Sequence, residues 1–260
     1  MATTPTPPTL DLTGKTALVT GASRGIGRVI ARQFAAAGAK VALHCNRNRA
    51  AAEAVRRALP GEGHIVVQAD LADAGAVERM VAEVLDAFGG LDIAVNNAGV
   101  YEEHPLAEVD YATWLASWQK VIQTNLLGAA NVCYCVARHM IERGGGKIIN
   151  VGSRGAYRGE PLAPAYGASK AGLHALSQSL ARYLGAYNIY VTAVAPGFVQ
   201  TEMVREHLTG EGGEAIRRQS PLHRVATPEE VAHAVLFLAA PGSEWLTGAV
   251  VDINGASYLR

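Results

Sequence analysis

Seven short runs of β-branched and other apolar residues recur along this chain, separated by segments of helical periodicity. The runs predict strands at 16–20, 41–45, 64–68, 92–96, 147–151, 190–195 and 249–253. They are apolar at consecutive positions, which is typical of strands that are covered on both faces. The alternation therefore predicts an α/β fold, in which a doubly wound, seven-stranded parallel sheet carries helices on both faces.

The charge balance and the length of the apolar runs exclude several kinds of partner. Lysine plus arginine and aspartate plus glutamate number 23 each. No overall field therefore attracts nucleic acid or an anionic membrane surface. No apolar run approaches the ~18 residues that a membrane-spanning helix needs. We expect a small-molecule partner, and neither nucleic acid nor a membrane.

The first residues, "MATTPTPPTLDLTGK", are rich in proline and threonine. They contain no basic start and no apolar stretch, so we expect residues 1–12 to be a disordered leader rather than a secretory signal. No linker or repeat interrupts residues 13–260, which predicts a single catalytic domain. The odd set Cys45, Cys133 and Cys135 indicates reduced thiols and a cytoplasmic location. No H-E-x-x-H motif occurs, and we expect no metal.

A glycine-rich turn, "TGASRGIG", directly follows the first predicted strand and opens a helix. Gly21, Gly25 and Gly27 stand where the chain must turn tightly and where a ligand could approach the backbone. The free N–H groups at the start of the helix would bind a pyrophosphate there. The spacing is G-x-x-x-G-x-G, which differs from the dinucleotide fingerprint G-x-G-x-x-G. The pattern predicts a dinucleotide site.

Further motifs follow this turn in a fixed order: "NNAG" at 96–99, "TN" at 124–125, Ser153, Tyr166-x-x-x-Lys170 and "PG" at 196–197. With these motifs the chain, from about Thr13 to its end, resembles the short-chain dehydrogenases/reductases. Within that family it is most similar to the 3-oxoacyl-[acyl-carrier-protein] reductases. The resemblance implies a Rossmann-type domain and hydride transfer between a nicotinamide and a carbonyl or secondary alcohol.

The resemblance also assigns a catalytic tetrad of Asn125, Ser153, Tyr166 and Lys170. Tyr166 would exchange a proton with the substrate oxygen, and Ser153 would hold that oxygen. Lys170, together with an oxidised nicotinamide, is expected to lower the pKa of the Tyr166 phenol. Lys170 would also hydrogen-bond the cofactor ribose. Asn125 would be linked to Lys170 through a water molecule.

The expected cofactor contacts lie at the ends of the predicted strands. The resemblance assigns them to Gly21, Ser23, Arg24, Gly25, Ile26, Gly27, Asp70, Leu71, Asn97, Ala98, Gly99, Tyr166, Lys170, Pro196, Gly197, Val199 and Thr201. Of these, Asp70 and Leu71 match the adenine-binding pair, while Val199 and Thr201 match the carboxamide contacts.

The choice between the two nicotinamide cofactors follows from the end of the second predicted strand. An NAD site needs a carboxylate there for the ribose 2′-hydroxyl, but residues 28–52 contain no Asp or Glu. Asn46, Arg47 and Asn48 occupy the place instead, and Arg24 lies in the glycine turn. Guanidinium groups suit a 2′-phosphate. We therefore expect NADP (NADPH).

The substrate is less constrained by the sequence. A 3-oxoacyl thioester is the first expectation, on a carrier protein or as a coenzyme A thioester. A small, cyclic, steroid or sugar ketone or alcohol is the alternative, and a non-catalytic NADP-binding sensor is a remote one. A serine hydrolase is disfavoured, because Val151 stands where the elbow motif G-x-S-x-G needs glycine. Tyr101, His104, Arg154, Tyr157 and Arg158 are expected near the mouth of the cleft.

Two larger features are also expected. The glycine-containing segment 201–221 should form a lid over the substrate. The helices at about 110–142 and 165–185 carry apolar residues on more than one face, including Val132, Tyr134, Val136, Leu173, Leu176 and Leu180. One apolar stripe suffices to cover a sheet, so the surplus indicates subunit contacts. The resemblance implies a homotetramer.

Overall fold

All seven predicted strands are present in the computed structural model, which describes residues 10–204 and 208–260. The strands are β1 Thr16–Val19, β2 Lys40–Cys45, β3 Ile65–Gln68, β4 Ile93–Asn96, β5 Gly146–Val151, β6 Ile189–Pro196 and β7 Val250–Ile253. They form one parallel sheet in the order β3-β2-β1-β4-β5-β6-β7. The predicted fold class is confirmed.

Helices connect the strands and cover both faces of the sheet. They are α1 Gly25–Ala36, α2 Arg49–Arg57, α3 Ala74–Phe88, α4 Tyr111–Ile122, α5 Ala129–Arg143, α6 Gly155–Arg158, α7 Pro164–Leu184, α8 Gly210–Arg218 and α9 Pro228–Ala239. A π-helical turn, Gln123–Gly128, joins α4 to α5.

Local side-chain chemistry explains where several helices begin. Asp73, Asp110 and Asn48 each accept a hydrogen bond from a backbone N–H of the first turn that follows. Thr227 opens α9 with a capping box, in which its hydroxyl and the Glu230 carboxylate bind each other's backbone N–H groups. Hydrogen bonds from Arg224 and from the Thr227 backbone lower the pKa of Glu230 to about 2.

Two apolar cores lie on opposite faces of the sheet. Phe34 of α1 and Val235 of α9 belong to one core, whereas Met80 of α3 and Met140 of α5 belong to the other. Each is almost fully buried, which stabilises the fold by ~1.5–3 kcal/mol for a side chain of this size. Because helices cover both faces of the sheet, the loops that could hold a ligand lie at the ends of the strands.

The folded chain begins earlier than the sequence suggests. Residues 1–9 of the expected leader lie outside the described part of the chain. Leu12, also assigned to the leader, is 1% exposed and packs in the core with α1, and its N–H donates to the carbonyl of Ala37 at 2.8 Å. The boundary expected at Thr13 is therefore too late, because an apolar side chain among polar neighbours fills the core.

The strand order reverses direction between β1 and β4, which lie side by side in the sheet. Loops leaving the carboxyl ends of these two strands run to opposite sides of the sheet. A crevice opens between such loops, and ligands of open α/β sheets bind there. The topology thus places a candidate site beyond Val19 and Asn96.

Candidate active site

A cavity of about 1430 Å³ lies at this edge of the sheet. Its wall includes all the expected cofactor residues except Gly27, and three of the four expected catalytic residues, Ser153, Tyr166 and Lys170. Gly27 and Asn125 lie behind the wall. The structure therefore brings together in one place residues that are up to about 180 positions apart in sequence.

The glycine turn needs its glycines for two different reasons. Gly21 has a φ of +67°, and a Cβ there would lie 2.9 Å from the Cα of Ala98. Gly27 faces inward, where a Cβ would lie 2.4 Å from the Gly21 carbonyl oxygen and 2.5 Å from Asn97 Nδ2. Gly27 thus lets α1 pack against the turn. No side chain caps α1 and its first turn holds no acidic residue, so its N-terminus suits an anion.

His44, on β2, holds this turn in place through a hydrogen bond, a role that the sequence analysis did not assign. Its Nδ1 accepts a hydrogen bond from the Gly21 N–H at 3.1 Å, so the neutral ring donates through Nε2 to the carbonyl of Ala69 at 3.0 Å. Burial lowers the pKa of His44 and keeps the ring neutral. The only signal in the sequence is a histidine inside the apolar run "VALHC".

Thr20 and Asn97 join the glycine turn to the loop after β4. The Thr20 hydroxyl accepts from the backbone N–H groups of Asn97 at 2.9 Å and Ala98 at 3.0 Å. The Asn97 side-chain amide donates back to the carbonyls of Thr20 at 2.9 Å and Gly21 at 3.3 Å. These bonds fix the two loops that face each other across the crevice.

The end of β2 carries the residues expected to select the cofactor. Asn46 and Arg47 are exposed and border the cavity. Asn48 also borders it, but its side chain accepts from the Ala51 N–H at 2.9 Å and so caps α2. Arg24 lies on the other side of the opening, within 4.0 Å of Glu202. Asp70, across from these residues, accepts from the Ala72 N–H at 3.0 Å.

Tyr166 and Lys170 lie one turn apart on α7, with the Lys170 Nζ 5.6 Å from the centre of the phenol ring. Lys170 is 4% exposed and donates to the Val151 carbonyl at 2.8 Å. Burial lowers the pKa of Lys170 to about 8. Burial also raises the pKa of Tyr166 to about 12. The hydrogen bond with the Ser153 hydroxyl acts to lower this pKa, and the charge on Glu160 acts to raise it.

The expected lowering of the Tyr166 pKa involves an oxidised nicotinamide beside Lys170 and stays a prediction. In the protein alone the pKa of Tyr166 is raised, because burying the phenolate is costly. That cost is the larger effect here. The phenol is consequently protonated at neutral pH, as a proton donor must be.

Asn125 lies in the π-helical turn between α4 and α5, and π turns are frequent at functional sites. Its Oδ1 accepts from the Val100 N–H at 2.8 Å, and its Nδ2 donates to the Val100 carbonyl at 2.9 Å and to Ser169 at 3.2 Å. A Cβ on Gly99 would lie 3.4 Å from Asn125 Oδ1 and 3.5 Å from Lys170 Nζ. Both polar groups thus border the same small space, in which a water molecule could join them.

The loop after β6 forms the far wall. Val199 pairs with Ala226 in an isolated parallel bridge, which holds the segment beginning at Pro196 against the sheet edge. The Thr201 Cγ2 lies 3.6 Å from the position of a Cβ on Gly25. The loop therefore meets the glycine turn, and a dinucleotide bound along the crevice would pass between them.

The remaining part of the cavity lies beyond Tyr166, and only some of the residues expected at the mouth of the cleft border it. Tyr101 borders it and meets the Tyr166 ring edge-on at 5.2 Å, and Arg154, Arg158, Glu103 and Glu160 border it as well.

His104 and Tyr157, which we also expected there, do not border this space. His104 is fully buried, contacts Trp114 and accepts from the Ala165 N–H at 3.3 Å, so its role is structural. Tyr157 packs against His174 and beneath Arg260.

Two other features are absent from residues 10–204 and 208–260. No helix in these ranges is long and apolar enough to cross a membrane. No group of three or more His, Cys, Asp or Glu side chains within them is placed to hold a metal ion.

Comparisons with known proteins agree with this geometry. Residues 21–256 match the family model described as "Enoyl-(Acyl carrier protein) reductase". The chain is 39% identical over 247 residues to the 3-oxoacyl-[acyl-carrier-protein] reductase FabG of Staphylococcus aureus strain Mu50, covering 94% of this chain and 98% of that protein.

Two further relatives come from Sinorhizobium. An uncharacterised short-chain type dehydrogenase/reductase of Sinorhizobium fredii is 38% identical over 256 residues, covering 96% of this chain and 99% of the relative. A crystal structure of a dehydrogenase/reductase from Sinorhizobium meliloti 1021 is similar with a TM-score of 0.88 and 36% identity, covering 96% of this chain and 97% of the other.

Proposed function

The chain belongs to the short-chain dehydrogenase/reductase family of oxidoreductases, and we propose that it interconverts a carbonyl and a secondary alcohol with NADPH as the hydride donor. One observation carries the proposal. Ser153, Tyr166 and Lys170 border the same cavity as the glycine turn, so a proton donor and a dinucleotide site face one space. A glycine turn without these side chains would support the binding of a dinucleotide but not catalysis.

The residues at the cofactor end fit a nicotinamide dinucleotide. The cradle formed by Gly21, Gly25 and the start of α1 offers uncapped backbone donors for the pyrophosphate. Arg24 and Arg47 border the opening where a 2′-phosphate would lie, and Asn46 stands where an NAD site carries a carboxylate. The cavity volume of about 1430 Å³ accommodates a dinucleotide together with a substrate. We assign NADPH on this charge pattern.

When bound, NADPH would supply the hydride that adds to the carbonyl carbon. The Tyr166 hydroxyl then donates its proton to the carbonyl oxygen, which becomes the alcohol oxygen. Ser153 holds that oxygen by a hydrogen bond beside the phenol. Lys170, when charged, stabilises the phenolate that proton transfer leaves on Tyr166. Asn125 completes the site by holding the Val100 backbone and bordering the space next to Lys170.

The substrate that the relatives favour is a 3-oxoacyl thioester. The Staphylococcus aureus relative acts, by its name, on 3-oxoacyl-[acyl-carrier-protein], and the two chains align over nearly their whole lengths. Acyl carrier proteins are acidic and need cations near the entrance. Arg138 is exposed on α5, but the neighbouring His139 accepts from the Leu91 N–H just before β4, so Arg138 lies toward the sheet edge opposite the cavity. Arg143 is engaged with the Gly89 carbonyl at 3.1 Å.

A kinetic panel tests the proposal. Oxidation of NADPH by the purified protein is measured with acetoacetyl thioesters of coenzyme A and of N-acetylcysteamine. Cyclic, steroid and sugar ketones are measured in the same way, because they represent the alternative substrate class. Consumption of NADPH with at least one carbonyl, and formation of the matching alcohol, is the expected result. Tight NADPH binding without turnover of any of them would instead indicate the non-catalytic sensor.

We also propose that four subunits assemble. Tyr134 on α5 and Tyr111 on α4 are 70% and 74% exposed, and Tyr183 on α7 is 66% exposed, so each of these three helices presents a large ring to solvent. Val132, Val136 and Leu173, expected to contribute to the same face, are buried in the core instead. Light scattering at micromolar concentration should give a tetramer mass, and a monomer mass would overturn this part of the proposal.

The three cysteines are free thiols, one of them partly exposed. This accords with a reducing compartment, and we place the enzyme in the cytoplasm.

A further inference from the structure

A carboxylate lies beside the reacting end of the cavity and has no role in the mechanism described so far. Glu160, in the loop between α6 and α7, borders the cavity together with Ser153 and Tyr166. A Cβ on Gly155 would lie 2.3 Å from Glu160 Oε1, so the carboxylate lies over Gly155. The Gly155 N–H in turn donates to Ser153 Oγ at 3.0 Å. Glu160 is therefore adjacent to the site of chemistry.

This carboxylate is half-buried and lacks a partner. Within the described ranges it forms no hydrogen bond and no ion pair, although the charges of Arg158 and Arg154 act on it. Its own charge acts on the phenols of Tyr166 and Tyr101. Withdrawing an acceptor from water is costly unless a donor replaces the lost hydrogen bonds. The described residues supply no such donor here, so a substrate that displaces water from this carboxylate must supply the donor itself.

The surroundings narrow the chemistry of that donor. Glu103 borders the same part of the cavity, and Tyr101 lies between it and Tyr166. An anionic group could not donate a hydrogen bond to Glu160, and a cationic group would be repelled by Arg154, Arg158 and Lys170, which border the same cavity. A bare hydrocarbon chain would leave Glu160 unpaired. A neutral O–H or N–H group satisfies the carboxylate and avoids both penalties.

From this geometry we propose that Glu160 is a specificity-determining residue, which accepts a hydrogen bond from a neutral donor on the substrate. The inference rests on the proposed carbonyl reduction and names the substrate chemistry for it. Such a donor exists in two sources. One is the amide N–H of a thioester arm, and the other is a hydroxyl on the carbon next to the carbonyl.

Two matched pairs of substrates distinguish these sources. The first pair is the N-acetylcysteamine thioester of 3-oxobutanoate, which carries an amide N–H, and the S-ethyl thioester, which lacks it. The second pair is 1-hydroxybutan-2-one and butanone. The ratio of kcat/KM within each pair is measured for the wild type and for Glu160→Ala, Glu160→Gln and Glu108→Ala. Glu108 is exposed and does not border the cavity, so its variant is the matched control.

In at least one pair the wild type should prefer the donor-bearing member by about tenfold or more, as a hydrogen bond to a charged group allows. Glu160→Ala should abolish that preference, Glu160→Gln should retain part of it through its carbonyl, and Glu108→Ala should keep it. The affected pair identifies the source of the donor. Ratios near one in the wild type, or ratios unchanged in Glu160→Ala, would overturn the inference. A wild type that oxidises NADPH with none of the four compounds but with another carbonyl of the panel would also overturn the inference, whereas oxidation of NADPH with no carbonyl at all would show that the proposed function itself has failed.

Discussion

The guanidinium of Arg154 donates to the side-chain carbonyl of Gln219 at 2.6 Å and also binds the Ser257 hydroxyl. Arg154 directly follows Ser153, is 3% exposed and lies 5.0 Å from the Phe198 ring centre. Gln219 directly follows α8, which belongs to the expected lid, and Ser257 lies near the carboxyl end of the chain. A single buried cation thus connects the segment of Ser153, the residue proposed to hold the substrate oxygen, to both of these segments.

Arg154→Met should loosen these segments, because it keeps an unbranched apolar side chain and removes the guanidinium donors. We expect kcat/KM to fall by about tenfold, because the hydrogen bonds that position Ser153 and α8 are lost in this variant. Hydrogen exchange in α8 should speed up in the same variant. The control is Arg182→Met, at an exposed position on α7. Unchanged kinetics and exchange in Arg154→Met would show that the contacts have no positioning role.

The lid itself stays a prediction. Residues 205–207 of the segment 201–221 lie outside the described part of the chain, and α8 forms the portion described next. Hydrogen exchange with NADPH and substrate present should protect α8 relative to the free protein. Equal protection in both states would contradict a closing lid.

We expect the buried Lys170 to destabilise the folded protein at neutral pH. Its pKa falls from 10.5 to about 8 on folding, so the unfolded chain binds more protons between these values. The contribution of Lys170 to the stability of the wild type therefore rises as pH increases from about 8 to 10.5, by at most about 3 kcal/mol. Lys170→Met lacks this rise, so its stability relative to wild type should decline over the same window.

Denaturant unfolding of both proteins at pH 7, 9 and 10.5 measures this difference. The hydrogen bond from Lys170 to Val151 is lost in the variant at every pH, so only the change with pH reports the ionisation. A difference that stays constant across the window would mean that the pKa of Lys170 is not lowered in the folded protein.

Cofactor selectivity should depend on the end of β2. Arg47→Ala should reduce the preference for NADPH over NADH by about tenfold or more, because it removes a charge-assisted contact to the 2′-phosphate. Asn46→Asp should reduce it further by adding repulsion. Dissociation constants from fluorescence titration and kcat/KM values give the ratio.

Arg49 supplies the matched control for this test. It lies two residues after Arg47 but binds the Val66 carbonyl at 3.2 Å and does not border the cavity, so Arg49→Ala should leave the ratio unchanged. A wild-type protein that already prefers NADH would contradict the assignment of NADPH.

The sequence predicts the strands well for a physical reason. A strand buried on both faces is apolar at most positions, so runs such as "TALVT" and "KIINV" show both its place and its length. The predicted and observed strand ends agree within one residue throughout. The motif residues also converge as expected, since the carboxyl ends of parallel strands meet at one edge.

Other features depend on contacts that a local pattern does not carry. The π turn at Asn125 inserts into a helix whose periodicity is otherwise regular, and His44 looks like an ordinary strand residue until Gly21 and Ala69 are brought beside it. His104 follows an irregular segment, and only packing against Trp114 shows that it is buried. Glu160 needs the folded cavity to show that it is unpaired.

The central claim is that Tyr166 donates the proton during carbonyl reduction, and Tyr166→Phe tests it most directly. The substitution removes one hydroxyl and keeps the ring that contacts Tyr101. Tyr157→Phe is the matched control, because it removes a phenol that lies outside the cavity. The measurement is single-turnover oxidation of bound NADPH with a substrate found in the panel, alongside the NADPH dissociation constant. The account predicts a rate at least ~100-fold below wild type for Tyr166→Phe, with NADPH binding nearly unchanged and Tyr157→Phe close to wild type. A Tyr166→Phe rate within a few-fold of wild type would contradict it.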